Sequence, residues 1–555
     1  MSVPELSVGG QVRPAARPLS GAAAAASRHP DLVWGVPTVV ALVSALAWSW
    51  RPGYWTDEDA TVSAVSRSGG QLVALLGRTD AVHAVYYLLL APWAHLAGTS
   101  PFVLRLPSAL AVAATAAGTA LIGRRVTWSS SAGLAAGLVF AVLPVVAGTG
   151  MEARSTALGA AAATWSTWAL LRALDGTARQ PLGWVGYALL SALACAVHVY
   201  CVLLLVAHLV TLVTLAGGRR RGVTAGRAAP GAAPDVRGVL ARWAAAAVVA
   251  VAAAAPVAWT GWSQRSQIGW LGRTTLRDLP GLATNLWFSG SVPVAVVAWA
   301  LAVAGVVAWS RRPAVDRSPV DRPAARRPAG RRPVPGLLAL AVPWAVVPPA
   351  LTWLVSLREA SAGSAWYSPR YLFFALPAFA LVAGYGVTAL AGLLPTGRRV
   401  AVVGLVAVLA VSGAGVQRQL RGPDGKGDDV LAVGRTIQAH RQPGDAVLYR
   451  PGTRRLAAIG DPAGFAGLVD IALAGTAVQA GALYGNSVDQ ATLTRRLATV
   501  DRVWVVDRPG RVKPGSDVTA TNRALVVAGY RISVRYHPGL SELLLFVRRG
   551  SAAAR

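Results

Sequence analysis

The sequence predicts a polytopic α-helical membrane protein, in which about eleven transmembrane helices are followed by a small C-terminal α/β domain. Of its 555 residues, 54% are apolar and only 14% are charged, and the mean hydropathy is +0.48. A soluble protein of this size could not bury so much apolar surface. Long uncharged runs of Ala, Leu and Val recur up to about residue 416, and short strand-like segments follow them.

The first apolar run, 32–50, follows a basic tail that contains Arg13, Arg17 and Arg28. No small-residue cleavage site comes after this run. We therefore expect a retained first transmembrane helix and not a cleaved signal peptide. Residues 1–30 are expected to form a disordered cytoplasmic tail.

A spanning helix needs roughly 20 apolar residues. The segments that meet this requirement are 32–50, 103–122, 131–149, 155–174, 183–198, 199–216, 243–261, 287–309, 336–357, 371–391 and 399–416. They define a membrane domain over 31–416, and their odd number puts the two termini on opposite sides. The apolar segment 81–97 contains His83, Pro92 and His95, so we place it at the outer surface as an amphipathic or re-entrant helix.

Basic residues cluster in alternate loops, which is typical of the cytoplasmic side of a membrane protein. The clusters follow the second, fourth, sixth, eighth and tenth spans and include Arg124, Arg125, Arg172, Arg179, Arg219, Arg220, Arg221, Arg311, Arg312, Arg398 and Arg399. The Pro- and Arg-rich stretch 310–333 is predicted to be a disordered cytoplasmic linker. Since the net charge of +29 is spread over these loops and forms no single patch, we exclude nucleic acid as a partner.

The last part of the chain, 417–555, is predicted to be a soluble α/β domain on the extracytoplasmic side. Segments 445–450, 501–507 and 541–548 are short and apolar, as expected for buried strands. Helices are expected over 428–441 and 491–499. The size of this region is usual for one small domain.

An acidic triplet, Asp57-Glu58-Asp59, comes directly after the first span, in the predicted outer loop 51–102. It could be an ordinary solvated loop, but charge close to a bilayer often marks function. Transfer of a sugar from a phosphate carrier to a hydroxyl needs a base for the acceptor proton. It also needs cations or a metal ion at the leaving phosphate. A carboxylate at this depth could meet a lipid-borne donor.

Several short elements in this order resemble the family 39 glycosyltransferases of the GT-C superfamily, which include protein O-mannosyltransferases and the aminoarabinose transferase of lipid A. The elements are Trp55-Thr56-Asp57-Glu58-Asp59-Ala60, then Asp80, His83 and Tyr86-Tyr87, then Phe102-Val103-Leu104-Arg105-Leu106-Pro107-Ser108-Ala109, then Glu152-Ala153-Arg154, and finally Tyr367-Ser368-Pro369-Arg370-Tyr371. Within the family, the chain resembles actinobacterial mannosyltransferases that use polyprenyl-phosphate mannose and carry an extra outer domain.

The resemblance implies a GT-C fold and an inverting transferase that moves one sugar, mannose, from a polyprenyl-phosphate donor at the outer face of the plasma membrane. Asp57 would be the catalytic general base, and Glu58 would support the site or help to bind an acceptor or a metal. The partners would be the lipid-linked donor, membrane lipids and an acceptor that could be a glycan, a lipid or a protein.

The residues expected to bind the substrate and the donor phosphate are Asp80, His83, Arg154, Arg370 and Tyr371. His83 departs from the residues common at its position, so its role is open. No cofactor is certain; Asp57 and Asp80 could together hold a divalent metal ion.

Each candidate has a structural alternative. Asp80 could cap the helix that follows it, and Arg154 could pair with Glu152. Arg370 could be an interfacial anchor. For Arg105, snorkelling to the membrane interface is the preferred interpretation.

A transporter or flippase of lipid-linked sugars is the alternative function, because apolar spans and phosphate-binding Arg residues would serve it equally well. Against it, the two halves of the chain show no internal repeat, which many transporters have.

Overall fold

The computed structural model describes residues 31–175, 180–224, 236–268, 274–312, 335–359, 366–395, 397–427, 429–507, 517–538 and 541–551. The predicted tail 1–30 lies outside the described residues, and so does nearly all of the predicted linker 310–333.

Helices fill the described part of the chain up to residue 420. They are Leu32–Leu46, Thr56–Val65, Gly69–Leu76, Ala84–Ala97, Pro101–Thr127, Ser130–Val142, Pro144–Gly150, Ser155–Ala173, Gln180–Val197, Val202–Thr224, Val236–Ser263, Leu282–Asn285, Val292–Ser310, Leu337–Glu359, Leu376–Ala391, Arg398–Ser412 and Ala414–Leu420. Each of the eleven predicted spans coincides largely with one helix or one helix pair. The predicted division between the spans 183–198 and 199–216 is confirmed, because one helix ends at Val197 and the next begins at Val202.

By length and composition, six described helices could cross a membrane, or eight if each of two bent helix pairs is one span. The pairs bend by 66° before Pro144 and by 51° after Ser412. Eleven predicted spans are therefore more than this criterion supports. One reason is length: Leu32–Leu46 and Pro181–Val197 are apolar but shorter than a full crossing.

The membrane helices pack closely through small residues, as is common where backbones must approach each other in a bilayer. A Cβ on Gly386 would collide with the carbonyl oxygen of Leu301, and one on Gly384 would collide with the backbone of Ala136. The helix Leu376–Ala391 lies in the centre of this core, because almost all of its residues are buried.

The C-terminal domain contains the strands β1 (Ala446–Arg450), β2 (Val469–Asp470), β3 (Leu473–Gly475), β4 (Asn486–Ser487), β5 (Arg502–Asp507), β6 (Tyr530–Tyr536) and β7 (Glu542–Arg548). Its helices are Val430–His440, Leu456–Gly460, Gln490–Leu497 and Asp517–Val527. The main sheet has the order β2-β1-β5-β7-β6, in which β1 runs parallel to β2 and β5, and β7 runs antiparallel to β5 and β6. The three predicted strands and two predicted helices are confirmed, and each face of the sheet has its own apolar core.

The two ends of the membrane domain make different polar contacts. At one end, Arg125, in the last turn of the helix Pro101–Thr127, forms an ion pair with Asp175, which lies just after the helix Ser155–Ala173. Arg124, Arg125 and Arg172 of the predicted cytoplasmic clusters lie in the last turns of these two helices. At the opposite end, the same two helices begin near the acidic triplet, and the C-terminal domain packs there.

Candidate active site

The acidic triplet forms the first turn of the helix Thr56–Val65, which we call the acidic helix. Negative charge at this position is favourable, because the free N–H groups make a helix N-terminus partially positive. The three carboxylates have different surroundings. Glu58 and Asp59 are buried, at 0% and 1% exposed, whereas the side chain of Asp57 is 26% exposed. Of the three, Asp57 can therefore be reached from outside.

Two arginines from distant parts of the chain meet at Asp57. Arg370 Nη1 donates to Asp57 Oδ2 at 2.8 Å, and Arg154 Nη2 lies 4.0 Å from the same oxygen. Arg154 Nη1 also donates to the backbone oxygen of Asp57 at 3.1 Å. Arg370 is the more open of the two, with 33% of its side chain exposed against 12% for Arg154. The structure thus joins the three residues that the sequence singled out in separate segments.

A hydrogen-bond network holds Arg154 in place. Its guanidinium donates to the hydroxyl of Tyr87 at 3.1 Å and to Nε2 of His83 at 2.6 Å. Arginine has no acceptor, so Nε2 must carry a lone pair and the proton sits on Nδ1, which faces the hydroxyl of Ser155 at 3.1 Å. Burial, together with Arg154, holds the pKa of His83 well below its usual value. His83 is therefore a neutral acceptor for Arg154.

Asp80 extends this network. Its carboxylate accepts a hydrogen bond from the Tyr87 hydroxyl at 2.6 Å. Asp80 occupies the N-cap position of a short 3₁₀ segment, Ala81–His83, but its side chain makes no capping bond there. The capping alternative is therefore wrong, and Asp80 is linked through Tyr87 to Arg154.

Arg370 is surrounded by aromatic rings. Its guanidinium carbon lies 5.3 Å from the centroid of the Trp55 ring and 5.3 Å from that of Tyr371. Tyr371 in turn packs against Tyr200 at 5.0 Å between centroids, and its backbone oxygen contacts His198 Nε2 at 2.8 Å. Cation–π contacts of this kind favour a guanidinium that remains charged and oriented. Tyr371 thus flanks Arg370 at the edge of the site.

Glu58 is bound to Arg105 in an ion pair that is 0% exposed on both sides. Nε and Nη2 of Arg105 donate to the two carboxylate oxygens at 2.8 and 2.6 Å. The remaining N–H groups of Arg105 donate to backbone oxygens of the segment 49–53. Burial alone would raise the pKa of Glu58, but Arg105 outweighs this effect, and the pKa lies below its usual value. The expectation that Arg105 snorkels to the interface is therefore wrong.

Each residue of the Glu152-Ala153-Arg154 element makes a different contact. Glu152 pairs with Lys426 at 3.2 Å and not with Arg154, so the alternative pairing is wrong. The backbone N–H of Ala153 donates to Glu58 Oε1 at 2.9 Å. Arg154 reaches Asp57, as described above. This element therefore connects the acidic helix to the segment that leads into the C-terminal domain.

Asp57 and Asp80 are the two carboxylates predicted to hold a metal ion together. Within the described ranges, no group of three or more His, Cys, Asp or Glu side chains could hold a metal ion. The carboxylate of Asp57 faces two guanidinium groups, and that of Asp80 accepts from Tyr87. Such a donor set does not fit a hard divalent ion well, because two cations already compete for the oxygens of Asp57.

Residues 83–227, about a quarter of the chain, match the family model described as dolichyl-phosphate-mannose-protein mannosyltransferase. No curated protein sequence matches the chain significantly. Among solved structures, ArnT from Cupriavidus metallidurans in the apo state gives a TM-score of 0.54 at 14% identity, over 94% of this chain and 98% of ArnT. The chain has the GT-C glycosyltransferase fold.

ArnT has also been solved bound to undecaprenyl phosphate, and this structure gives the same TM-score of 0.54 at 14% identity, over 93% of this chain and 97% of ArnT. Together with the apolar helices, the GT-C fold makes the chain a multi-pass membrane protein. The matched family segment includes His83, Arg105 and Arg154, whereas Asp57 and Arg370 lie outside it.

Sequence reasoning assigned no role in this site to Tyr87, Arg105 or Lys426, and it assigned Arg105 to the membrane interface. Tyr87 and Arg105 stand in elements that carried the family resemblance, but local sequence does not reveal which polar side chains become buried together. Lys426 offered a weak indication, because it is one of only two lysines in a chain with 53 basic residues. Its side chain is 4% exposed.

Proposed function

We propose that the chain is a membrane glycosyltransferase that moves a sugar from a polyprenyl-phosphate donor to a hydroxyl acceptor. The observation that carries this proposal is the partly exposed carboxylate of Asp57 between Arg154 and Arg370. The carboxylate of Asp57 can accept a proton while the two guanidinium groups bind a phosphate. The fold supports the proposal, because the similar ArnT has been solved with undecaprenyl phosphate.

In the proposed reaction, Asp57 removes the proton of the acceptor hydroxyl while the hydroxyl oxygen attacks the anomeric carbon of the sugar. The bond from this carbon to the phosphate oxygen breaks, and the electron pair leaves with the polyprenyl phosphate. Direct displacement inverts the configuration at the anomeric carbon. Arg370 and Arg154 stabilise the charge that develops on the leaving phosphate.

Arg370 is suited to this role because its guanidinium is a planar fork that matches the geometry of carboxylate and phosphate oxygens, and its Nη1 already donates to Asp57. Its larger exposure makes it the first cation that an incoming phosphate would meet. Tyr371 flanks the same position.

Glu58, Asp80 and His83 enter the proposal as positioning residues. Glu58 fixes the acidic helix through Arg105 and Ala153. Asp80 and His83 orient Arg154, the former through Tyr87. With this assignment, direct contact with the substrate is expected of Asp57, Arg154, Arg370 and Tyr371.

We further propose that the sugar is mannose, that the N-terminus is cytoplasmic, and that the site and the C-terminal domain are extracytoplasmic. The flippase alternative gains no support, because Asp57, Arg154 and Arg370 all lie at the starts of helices, at one end of the membrane domain.

The direct test uses the purified protein in liposomes that contain labelled polyprenyl-phosphate sugars, and mass spectrometry of envelope glycans and lipids from a strain without the protein. We expect consumption of the mannose donor in liposomes and loss of a mannosylated product in the strain. A chelator added to the liposome assay tests whether a divalent ion is needed. Movement of an intact lipid-linked sugar across the bilayer without transfer would contradict the proposal.

A further inference from the structure

The C-terminal domain contacts the acidic helix directly, through its segment 477–483. The hydroxyl of Ser63 donates to the backbone oxygen of Leu483 at 2.6 Å. The guanidinium of Arg67, one turn further on, donates to the oxygens of Ala482 and Ala477 at 2.5 and 3.2 Å. Its Nε donates to Ser63 O at 3.0 Å. More than 400 residues of sequence separate the two sides of this contact.

Arg67 is 3% exposed although it carries a charge. Burial lowers the pKa of Arg67, and no carboxylate of the described residues offsets this effect. A buried cation that is hydrogen-bonded to carbonyl oxygens and to the Ser63 hydroxyl, without a carboxylate, is expensive to desolvate. An apolar side chain would pack there at lower cost, but it could not bind the three carbonyl groups.

Apolar contacts accompany these hydrogen bonds. Leu456 and Leu483 of the C-terminal domain belong to the same buried cluster as Val62 and Val65 of the acidic helix. A Cβ on Gly460 would collide with the carboxylate of Asp59. The helix and the domain therefore fit closely, without room for an intervening layer.

The acidic helix is held on two faces. The hydroxyl of Thr61 donates to Ala153 O at 3.0 Å, on the side of the membrane domain. Ser63 lies two residues further along, which is about 200° around a helix. Arg67 follows Ser63 by one turn and shares its face. Asp57 stands at the N-terminal end of the segment that these contacts fix.

We infer that Arg67 is a positioning residue for Asp57, and that it makes the C-terminal domain a structural part of the active site. The inference rests on the proposed function. If the contact with segment 477–483 is lost, the acidic helix can shift while Arg154 and Arg370 remain in place. A displacement of about 1 Å between reacting groups can cost on the order of 10²-fold in rate.

The test compares Arg67→Gln and Arg67→Lys with a matched control, Arg78→Gln. Arg78 contacts the same segment at Ala480 O, but it is exposed and the contact is long, at 3.4 Å. We expect Arg67→Gln to lower kcat per folded molecule by about tenfold or more, with the donor KM unchanged. Arg67→Lys should recover part of this loss, and Arg78→Gln should behave as the wild type.

Hydrogen exchange supplies a second readout. The amides of residues 56–65 should exchange faster in Arg67→Gln than in the wild type, while those of the helix Ser155–Ala173 should not change. If Arg67→Gln does not fold, Ser63→Ala takes its place, because it removes a single hydroxyl contact and should lower kcat several-fold.

Wild-type kcat in folded Arg67→Gln, or in Ser63→Ala if the former does not fold, would overturn this inference and leave the proposed function standing. Failure of the proposed function gives a different result: the wild-type protein itself would not transfer the sugar. Full transfer by Asp57→Asn would remove Asp57 as the base, whatever the Arg67 variants show.

Discussion

Arg370 and Asp57, 313 residues apart in the chain, are joined by a hydrogen bond of 2.8 Å between Nη1 and Oδ2. Asp57 follows the first described apolar helix, and Arg370 lies in the 3₁₀ segment Pro369–Ala375 that leads into the buried helix Leu376–Ala391. The contact therefore closes the membrane domain on itself at one end and brings a carboxylate and a cation together.

The first prediction concerns Arg370. Arg370→Lys keeps the charge but loses the planar fork that can bind Asp57 and a phosphate together. We expect transfer to fall by about 10²–10³-fold, the range seen when one preorganised donor is removed. Steady-state transfer of a labelled lipid-linked sugar measures this, with the exposed Arg277→Gln as a control. Unchanged transfer by Arg370→Lys would remove Arg370 from the phosphate site.

The second prediction concerns the buried pair of Glu58 and Arg105. Removal of one partner leaves an uncompensated charge at 0% exposure, so Glu58→Gln or Arg105→Met should each destabilise the protein by about 3–5 kcal/mol. The loss of stability in the double variant should be smaller than the sum of the losses in the two single variants. Thermal unfolding in detergent measures these changes. A Glu58→Gln protein with normal stability but no activity would instead indicate direct chemistry at Glu58.

The third prediction concerns pH. His83 must be neutral to accept from Arg154, and its pKa in the folded protein is well below the usual value. The unfolded chain therefore binds a proton at higher pH than the native protein does, so stability rises with pH between the folded and unfolded pKa values. The contribution of neutral His83 to the free energy of unfolding is complete above about pH 6.5 and is lost as the pH falls towards the folded pKa.

His83→Gln tests this pH dependence, because the amide oxygen can accept from Arg154 without titrating. We expect its unfolding temperature to fall less than that of the wild type between pH 7 and pH 5. His95→Gln, at an exposed position on the helix Ala84–Ala97, should follow the wild type. Parallel acid dependence of the His83→Gln variant and the wild type would show that His83 does not titrate in this way.

The fourth prediction concerns Lys426, whose Nζ lies 3.2 Å from Glu152, two residues before Arg154. Loss of this pair should loosen Arg154, so Lys426→Met and Glu152→Gln should each weaken binding of the lipid-linked donor several-fold. Because the two residues act through one contact, the double variant should lose no more than either single variant. Donor titrations measure this, and additive losses would show that the residues act separately.

Sequence patterns were sufficient to predict most helices and strands and the three central residues of the site. Apolar runs marked the membrane helices because a bilayer demands long uncharged segments. The strands β1, β5 and β7 have apolar interiors, with charged residues only at their ends, because both faces of the sheet are covered. Asp57, Arg154 and Arg370 were found because each stands in a short element that resembles one family, and the structure brings them together.

The partners of buried polar groups could not be predicted in the same way. Arg105 stands near the start of an apolar helix, where snorkelling is the usual outcome, and only the folded chain shows Glu58 opposite it. Arg67 binds backbone carbonyl oxygens more than 400 residues away. Every residue has such a carbonyl group, so the sequence does not indicate which ones will accept from Arg67. Six to eight described helices meet the length criterion for a crossing, against eleven predicted spans, because hydropathy alone does not reveal that the apolar helices Leu32–Leu46 and Pro181–Val197 are short.

The most direct test of the account is transfer by Asp57→Asn from a labelled polyprenyl-phosphate sugar, with the exposed carboxylate variant Asp278→Asn as a control. Loss of a general base should lower transfer by about 10²–10⁴-fold in the Asp57 variant, while folding and donor binding persist. Asp278→Asn should transfer at the wild-type rate. Near wild-type transfer by folded Asp57→Asn would contradict the central claim that this carboxylate accepts the acceptor proton.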